Sequence, residues 1–261
     1  MKSFSDIAVV PEGGVTEVSG QCNEHGDYTV DALWVFGMLK NEKPECPQCA
    51  DKRRADEEKQ EQDELAQRRQ RSRENRLRDA GIPLRTLEAG KFEPPTDRAK
   101  QHVSTMRDFL ENFGQKHEDG SSLILCGKPG TGKSHLACKL GIELMDKDYS
   151  VRYVTASKAL RYVRASYAKN PDYSEQDAIN YFVNVDLLIL DELGVKVASE
   201  NDKALLFEII DERYQQKLPS IVISNLTIKN LKEAIDERMI DRLKHNGTLL
   251  IFDWESYRGA S

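Results

Sequence analysis

Two stretches of this sequence combine residue types at spacings that suit phosphate chemistry. Gly127-Lys128-Pro129-Gly130-Thr131-Gly132-Lys133-Ser134 follows the pattern G-x-x-x-x-G-K-[ST]. Glycines at these points let a loop wrap closely, so that backbone N–H groups and the start of the next helix face phosphate oxygens. Lys133 would place positive charge on the β- and γ-phosphates, and the Ser134 hydroxyl would ligate Mg²⁺. His135, the next residue, is expected to support the loop. Further along, the run Leu187–Leu190 delivers Asp191 and Glu192. Asp191 would hold Mg²⁺ through its water shell, and Glu192 would orient and deprotonate an attacking water. A small-molecule kinase takes its nucleophile from the substrate and needs no such acid, so the pair favours Mg²⁺-dependent hydrolysis of ATP. A chance glycine-rich turn and an exposed acidic turn compete with these readings. The strand–loop–helix setting weighs against both.

A third group lies near the N-terminus. Cys22-x-x-His25 and Cys46-x-x-Cys49 are two close pairs of metal ligands. Such pairs close a tetrahedron around Zn²⁺, with Gly26 and Pro47 suited to the tight turns. With all four positions filled by protein, the expected role is structural. Cys126 and Cys138 sit among apolar neighbours and are expected in the core.

The elements that must position these groups are legible in the apolar pattern. Short apolar runs at Leu123–Cys126, Val151–Thr155, Leu187–Leu190, Ile221–Ser224 and Leu249–Phe252 alternate with stretches of helical period. That alternation predicts an α/β fold with a mostly parallel five-stranded sheet covered by helices. Residues 51–79 lack Pro and Gly, are rich in Glu, Gln and Arg, and have too few apolar positions for a heptad seam, so they read as a charged, solvated helix. The expected division is a zinc module at 1–50, a charged helical linker at 51–95 and an ATPase domain at 96–261. Of 261 residues, 39% are hydrophobic and 31% charged, and no apolar stretch approaches the roughly 20 residues of a membrane span. A cytoplasmic protein without membrane contact is expected. The net charge of −6 argues against wholesale coating of nucleic acid but leaves room for local basic tracks.

GKPGTGKSHLA (127–137), NVDLLILDELG (184–194), ISN (223–225), ERMIDRL (237–243) and FDWESYR (252–258) together resemble the AAA+ ATPase domain of bacterial replicative helicase loaders of the DnaC type, with the transposition ATPase IstB close behind. The resemblance spans most of residues 121–258. It implies that Asn225 is the polar sensor beside the lytic water and that Arg242 is an arginine finger reaching a neighbouring subunit's γ-phosphate, with Arg238 the fallback. It also implies that Arg258 is a second sensor at the nucleotide. The N-terminal third departs from DnaC and is closer to DnaI-type loaders, which carry a zinc-bearing helicase-docking module.

The implied function is ATP-controlled loading of a hexameric replicative helicase onto single-stranded DNA, with self-association through the ATP site. Two alternatives stay open: an IstB-like regulator of a transposase on duplex DNA, and a nucleotide-gated adaptor with little turnover. Lys158, Arg161, Tyr162 and Arg164 form a basic-aromatic stretch suited to single-stranded DNA, or an ordinary helix surface.

Overall fold

The computed structural model describes residues 15–35, 38–39, 45–194 and 199–257. The chain divides into two compact units, Met1–Arg73 and Glu74–Ser261.

In the first unit β1 (Val15–Cys22) and β2 (Gly26–Val35) form an antiparallel hairpin, and β3 (Met38–Leu39) pairs with β2. Cys22 faces Gly26 across the turn. Gly26 has φ of 80°, a conformation in which a Cβ would be strained. Helix α1 (Pro47–Asp79) starts with Pro47, whose missing N–H costs nothing in a first turn, and the Cys46 carbonyl accepts the Ala50 N–H at 2.9 Å. Leu77 is the one buried residue of α1, as its polar composition requires.

The second unit runs α2 (Arg85–Glu88), α3 (Asp97–Glu111), α4 (Phe113–Glu118), β4 (Ser122–Gly127), α5 (Lys133–Met145), β5 (Val151–Thr155), α6 (Ala156–Ala165), α7 (Glu175–Val183), β6 (Leu187–Asp191), α8 (Glu200–Gln215), β7 (Ser220–Ser224), α9 (Ile228–Ala234), α10 (Glu237–His245) and β8 (Gly247–Phe252). The five strands lie in the order β5-β6-β7-β4-β8, and every neighbouring pair is parallel. Parallel neighbours need crossover connections, which the intervening helices supply. Strand side chains alternate between two cores. Ile124, Cys126, Leu188, Leu190 and Val222 pack with α6, α7, α8 and α10 on one face. Leu123, Leu125, Leu187, Ile189, Ile221 and Ile223 pack with α3 and α5 on the other. Leu77, Ala80 and Ile82 join this second core, so the end of α1 and the segment after it belong to the α/β unit.

Helix starts are capped as their sequences dictate. Thr96, Thr155, Ser174, Ser199 and Thr227 each accept a backbone N–H two or three residues into the helix, an arrangement worth about 1 kcal/mol apiece. Arg213 of α8 is fully buried and donates to the carbonyls of Val183 and Val185 and to the Ser220 hydroxyl, tying the entries of β6 and β7 together. Among the described residues, no helix is long and apolar enough to cross a membrane.

Candidate functional site

The loop Gly127–Gly132 joins the C-terminal end of β4 to the N-terminus of α5, the edge where ligands of open α/β sheets bind. Three glycines are required by shape. Gly127, Gly130 and Gly132 have φ of 129°, 76° and 95°. A Cβ on Gly127 would lie 2.1 Å from the Phe252 carbonyl oxygen, and one on Gly132 would meet the Phe92 ring at 2.4 Å. The Lys133 ammonium is buried, donating to the carbonyls of Gly127 (2.9 Å) and Lys128 (2.6 Å). Thr131 is fully buried, and its hydroxyl donates to the Lys128 carbonyl. Ser134 is half-buried in the first turn of α5. Pro129 is exposed at the loop tip. His135 meets the Gly90 backbone, and burial, with Lys139 nearby, lowers its pKa.

The residues after β8 brace this loop. Trp254 Nε1–H donates to the Thr131 carbonyl at 3.1 Å, the Tyr257 N–H donates to Gly130 O at 3.0 Å, and Lys128 N–H donates to Phe252 O at 2.9 Å. Phe92 packs against Tyr257 with ring centroids 5.2 Å apart. Arg258, the candidate second sensor in this terminal word, lies outside the described residues. The buttressing by Trp254, Tyr257 and Phe92 was missed; a tryptophan two residues past an apolar strand was the available signal.

Asp191 ends β6 and is buried, while Glu192 is exposed with φ of 58°, a left-handed backbone unusual for a non-glycine residue. The Glu192 N–H donates to Asp191 Oδ1 at 2.7 Å, and the Tyr153 hydroxyl donates to Asp191 Oδ2 at 2.7 Å. Asn225, exposed, follows β7, which lies between β4 and β6. The sheet order thus sets Asn225 between the glycine loop and the acidic pair. The turn after Asp191 is tied to that strand: Leu193 N–H donates to Ile223 O, and the Ser224 hydroxyl donates to Leu193 O. Burial pushes the Cys126 thiol up to about 11 and Cys138 to about 12, so both are neutral core side chains.

The arginines of α10 differ in their ties. Arg242 is half-buried, donates from Nε to Asp211 Oδ1 at 2.8 Å and lies over the Tyr214 ring at 4.9 Å. Arg238 is exposed, pairs with Asp236 at 2.6 Å and covers Phe207. In the basic-aromatic stretch Lys158 and Arg161 are exposed, and Arg164 pairs with the buried Asp202. The Tyr162 ring stacks on Tyr173 and Tyr181 at 4.8 and 4.7 Å.

In the first unit the ligand atoms of Cys22, His25, Cys46 and Cys49 all lie within 4.8 Å of one another. His25 Nδ1 is 3.6, 3.6 and 3.3 Å from the sulfurs of Cys22, Cys46 and Cys49, and the Cys22 and Cys49 sulfurs are 3.6 Å apart. A tetrahedron with Zn–S of about 2.3 Å and Zn–N of about 2.0 Å has edges of roughly 3.5–3.8 Å, so the donor set fits that ion. No disulfide joins these thiols. The backbone N–H groups of Glu24 and His25 bring Cys22 down to about 6, while its bond to Cys22 pushes Cys49 up to about 12. Cys46 and Cys49 bracket the start of α1.

A parallel sheet of this order, with a phosphate loop after the inner strand β4 and an acidic pair after β6, is that of a P-loop NTPase of the AAA+ class. The chain belongs to the family described as IstB-like ATP binding protein, which it matches across residues 50–261. It is similar to the replicative helicase loader DnaC of Buchnera aphidicola subsp. Baizongia pistaciae, 35% identical over 160 residues, which cover 61% of this chain and 64% of that one. DnaC of Escherichia coli (strain K12) is likewise 35% identical over 159 residues, 60% and 62% of the two chains. The chain therefore spans a little under two thirds of the length of these relatives. Among solved structures, the DnaC helicase loader superimposes with a TM-score of 0.56 at 22% identity, over 62% of this chain and 93% of that one. The DnaI structure gives 0.56 at 20% identity, over 65% and 94%. These two show the shared fold.

Proposed function

We propose that this protein is a Mg²⁺-dependent ATPase that loads a hexameric replicative helicase onto single-stranded DNA. One observation carries the reading: the glycine loop and the Asp191–Glu192 pair share one sheet edge, flanking Asn225, on a chain 35% identical to helicase loaders. The loop N–H groups and Lys133 would hold the triphosphate. Bound Mg²⁺, on Ser134 and through water on Asp191, would neutralise charge on the phosphate oxygens. Glu192 would accept the proton of the attacking water, which Asn225 would help to place. Arg242 from a neighbouring subunit, with Arg258 in cis, would neutralise charge developing at the γ-phosphate, making turnover depend on assembly. The cleft along α5, where Phe92, His135 and Leu136 are joined by charged residues such as Lys91, Arg107 and Lys139, would be the seat of the adenine ring.

Zinc on Cys22, His25, Cys46 and Cys49 would lock the hairpin turn to the start of α1 as a small docking module for the helicase, residues 1–50 of a three-part chain with a linker at 51–95 and the ATPase at 96–261. Lys158 and Arg161 would contact DNA phosphates. The test is co-purification of the full chain with a candidate replicative helicase, followed by ATP-dependent transfer of the helicase to single-stranded DNA. Failure of both steps overturns the loader reading. A transposition regulator is the second reading, favoured by the IstB-like family match; capture of a transposase on duplex DNA would select it.

A further inference from the structure

Tyr153 sits in the middle of β5, opposite Ile189 of β6, while Asp191 stands opposite Thr155. Tyr153 is therefore the diagonal neighbour of Asp191 on the same face of the sheet, a separation within reach of a long aromatic side chain. Its half-buried hydroxyl donates to Asp191 Oδ2 at 2.7 Å, and the Glu192 N–H donates to Oδ1 at 2.7 Å. The carboxylate plane is held at both oxygens. The tyrosine is itself braced from below: its N–H donates to the Ala80 carbonyl at 2.7 Å. That approach depends on Gly81, where φ is +74° and a Cβ would lie 2.5 Å from the Tyr153 carbonyl oxygen.

From this geometry we infer that Tyr153 is a positioning residue for the divalent cation of the nucleotide site, acting through Asp191. It fixes the rotamer in which Asp191 offers its remaining lone pairs to the ion's water shell, and it sets the turn on which Glu192 is carried. The inference rests on the proposed role of Asp191, and the experiment separates the two.

Binding of a fluorescent ATP analogue is titrated with Mg²⁺ for the wild type, Tyr153→Phe and Asp191→Ala, and repeated in EDTA. Tyr153→Phe is expected to raise the half-saturating Mg²⁺ concentration about tenfold, as the loss of about 1.4 kcal/mol implies, while leaving EDTA affinity and thermal unfolding of the apoprotein near wild type. An unchanged Mg²⁺ requirement in Tyr153→Phe, with a raised one in Asp191→Ala, overturns the tyrosine's role alone. No change in either overturns the metal role of Asp191 and the inference with it. A lowered melting temperature with a normal Mg²⁺ titration also overturns it, since that marks a purely structural ring. Should Tyr153→Phe not fold, 3-fluorotyrosine at position 153 of the otherwise unchanged chain gives a second readout. Its ¹⁹F resonance should move when Mg²⁺ is added to the ADP-bound protein and return with EDTA; a resonance that stays put counts against the inference.

Discussion

Arg242 on α10 donates from Nε to Asp211 of α8 at 2.8 Å, with the guanidinium lying over Tyr214 at 4.9 Å. Arg238, one turn earlier, pairs with Asp236 two residues away. The two arginines are thus held differently. Arg242 takes its ion pair from α8, through Asp211, whereas Arg238 takes its ion pair from Asp236 at its own helix start and touches α8 only through the Phe207 ring. If Arg242 serves a neighbour's γ-phosphate, Arg242→Ala should lower helicase-stimulated turnover by about 10³-fold, and Arg238→Ala by less than about threefold. Mixing Arg242→Ala with Lys133→Ala subunits should recover part of the activity, because each supplies what the other lacks. A steady-state ATPase assay on the mixture decides, and absence of recovery in assembled complexes rules out a shared site.

Glu192 is exposed with φ of 58° beside the buried Asp191. A left-handed residue costs about 1–3 kcal/mol unless its surroundings fix it, and here the bond from its N–H to Asp191 Oδ1 and the tie of Leu193 to Ile223 do so. The backbone is set independently of the side-chain carboxylate, so Glu192→Gln should fold normally and bind ATP with near wild-type affinity. Turnover should fall by about 10²-fold or more, the contribution of a positioned base. Single-turnover hydrolysis at wild-type rate in this variant would remove Glu192 from the chemistry.

The inner strands β4, β6 and β7 were legible because strands buried on both faces appear as apolar runs, while the edge strands β5 and β8 showed through shorter apolar segments broken by polar residues or glycine. Leu123–Cys126 lies within β4 (Ser122–Gly127), Val151–Thr155 matches β5, and the others fall within a residue or two of their strands. The glycine loop was legible because its backbone conformations admit few residue types, and the acids because two carboxylates end an apolar strand. The hairpin at Val15–Val35 was only partly legible: β1 and the first half of β2 are mostly polar, and only the stretch Ala32–Val35 at the end of β2 stands out as apolar. Strand order within the sheet was hidden, and with it every relationship that depends on register. Tyr153 meets Asp191, and Trp254 meets Thr131, only once β5, β6, β4 and β8 are paired. Leu77, Ala80 and Ile82 looked like isolated apolar residues among charges, and packing alone shows them as part of the core.

Trp254 is buried, and its indole N–H donates to the carbonyl of Thr131, the residue before Gly132 at the loop's turn into α5. Trp254→Phe keeps most of the apolar contact and leaves one buried carbonyl without its donor, a cost of about 1–3 kcal/mol. The loop is the element that loses its brace, so the effect should fall on nucleotide affinity, which is expected to weaken several-fold. Turnover at saturating ATP should change little. Isothermal titration with ADP and ATP, set beside the ATPase rate at saturation, measures the split; a loss confined to turnover would show that the indole acts elsewhere.

The four donor atoms of Cys22, His25, Cys46 and Cys49 are already at tetrahedral spacing, from 3.3 to 3.6 Å along the measured edges. Cys22 ends β1, His25 closes the turn before β2, and Cys46 and Cys49 bracket the first turn of α1, so the ion would join a hairpin to a helix. Metal binding is then coupled to local folding. One zinc per chain is expected by atomic absorption in the purified protein, and Cys46→Ser should lose it. Chelation should raise amide exchange in β1 and β2 and leave the glycine loop and ATP affinity unchanged, because the ATPase core contributes no ligand. A wild-type protein free of zinc, or an ATP site that weakens in step with chelation, would contradict a structural ion confined to the N-terminal unit.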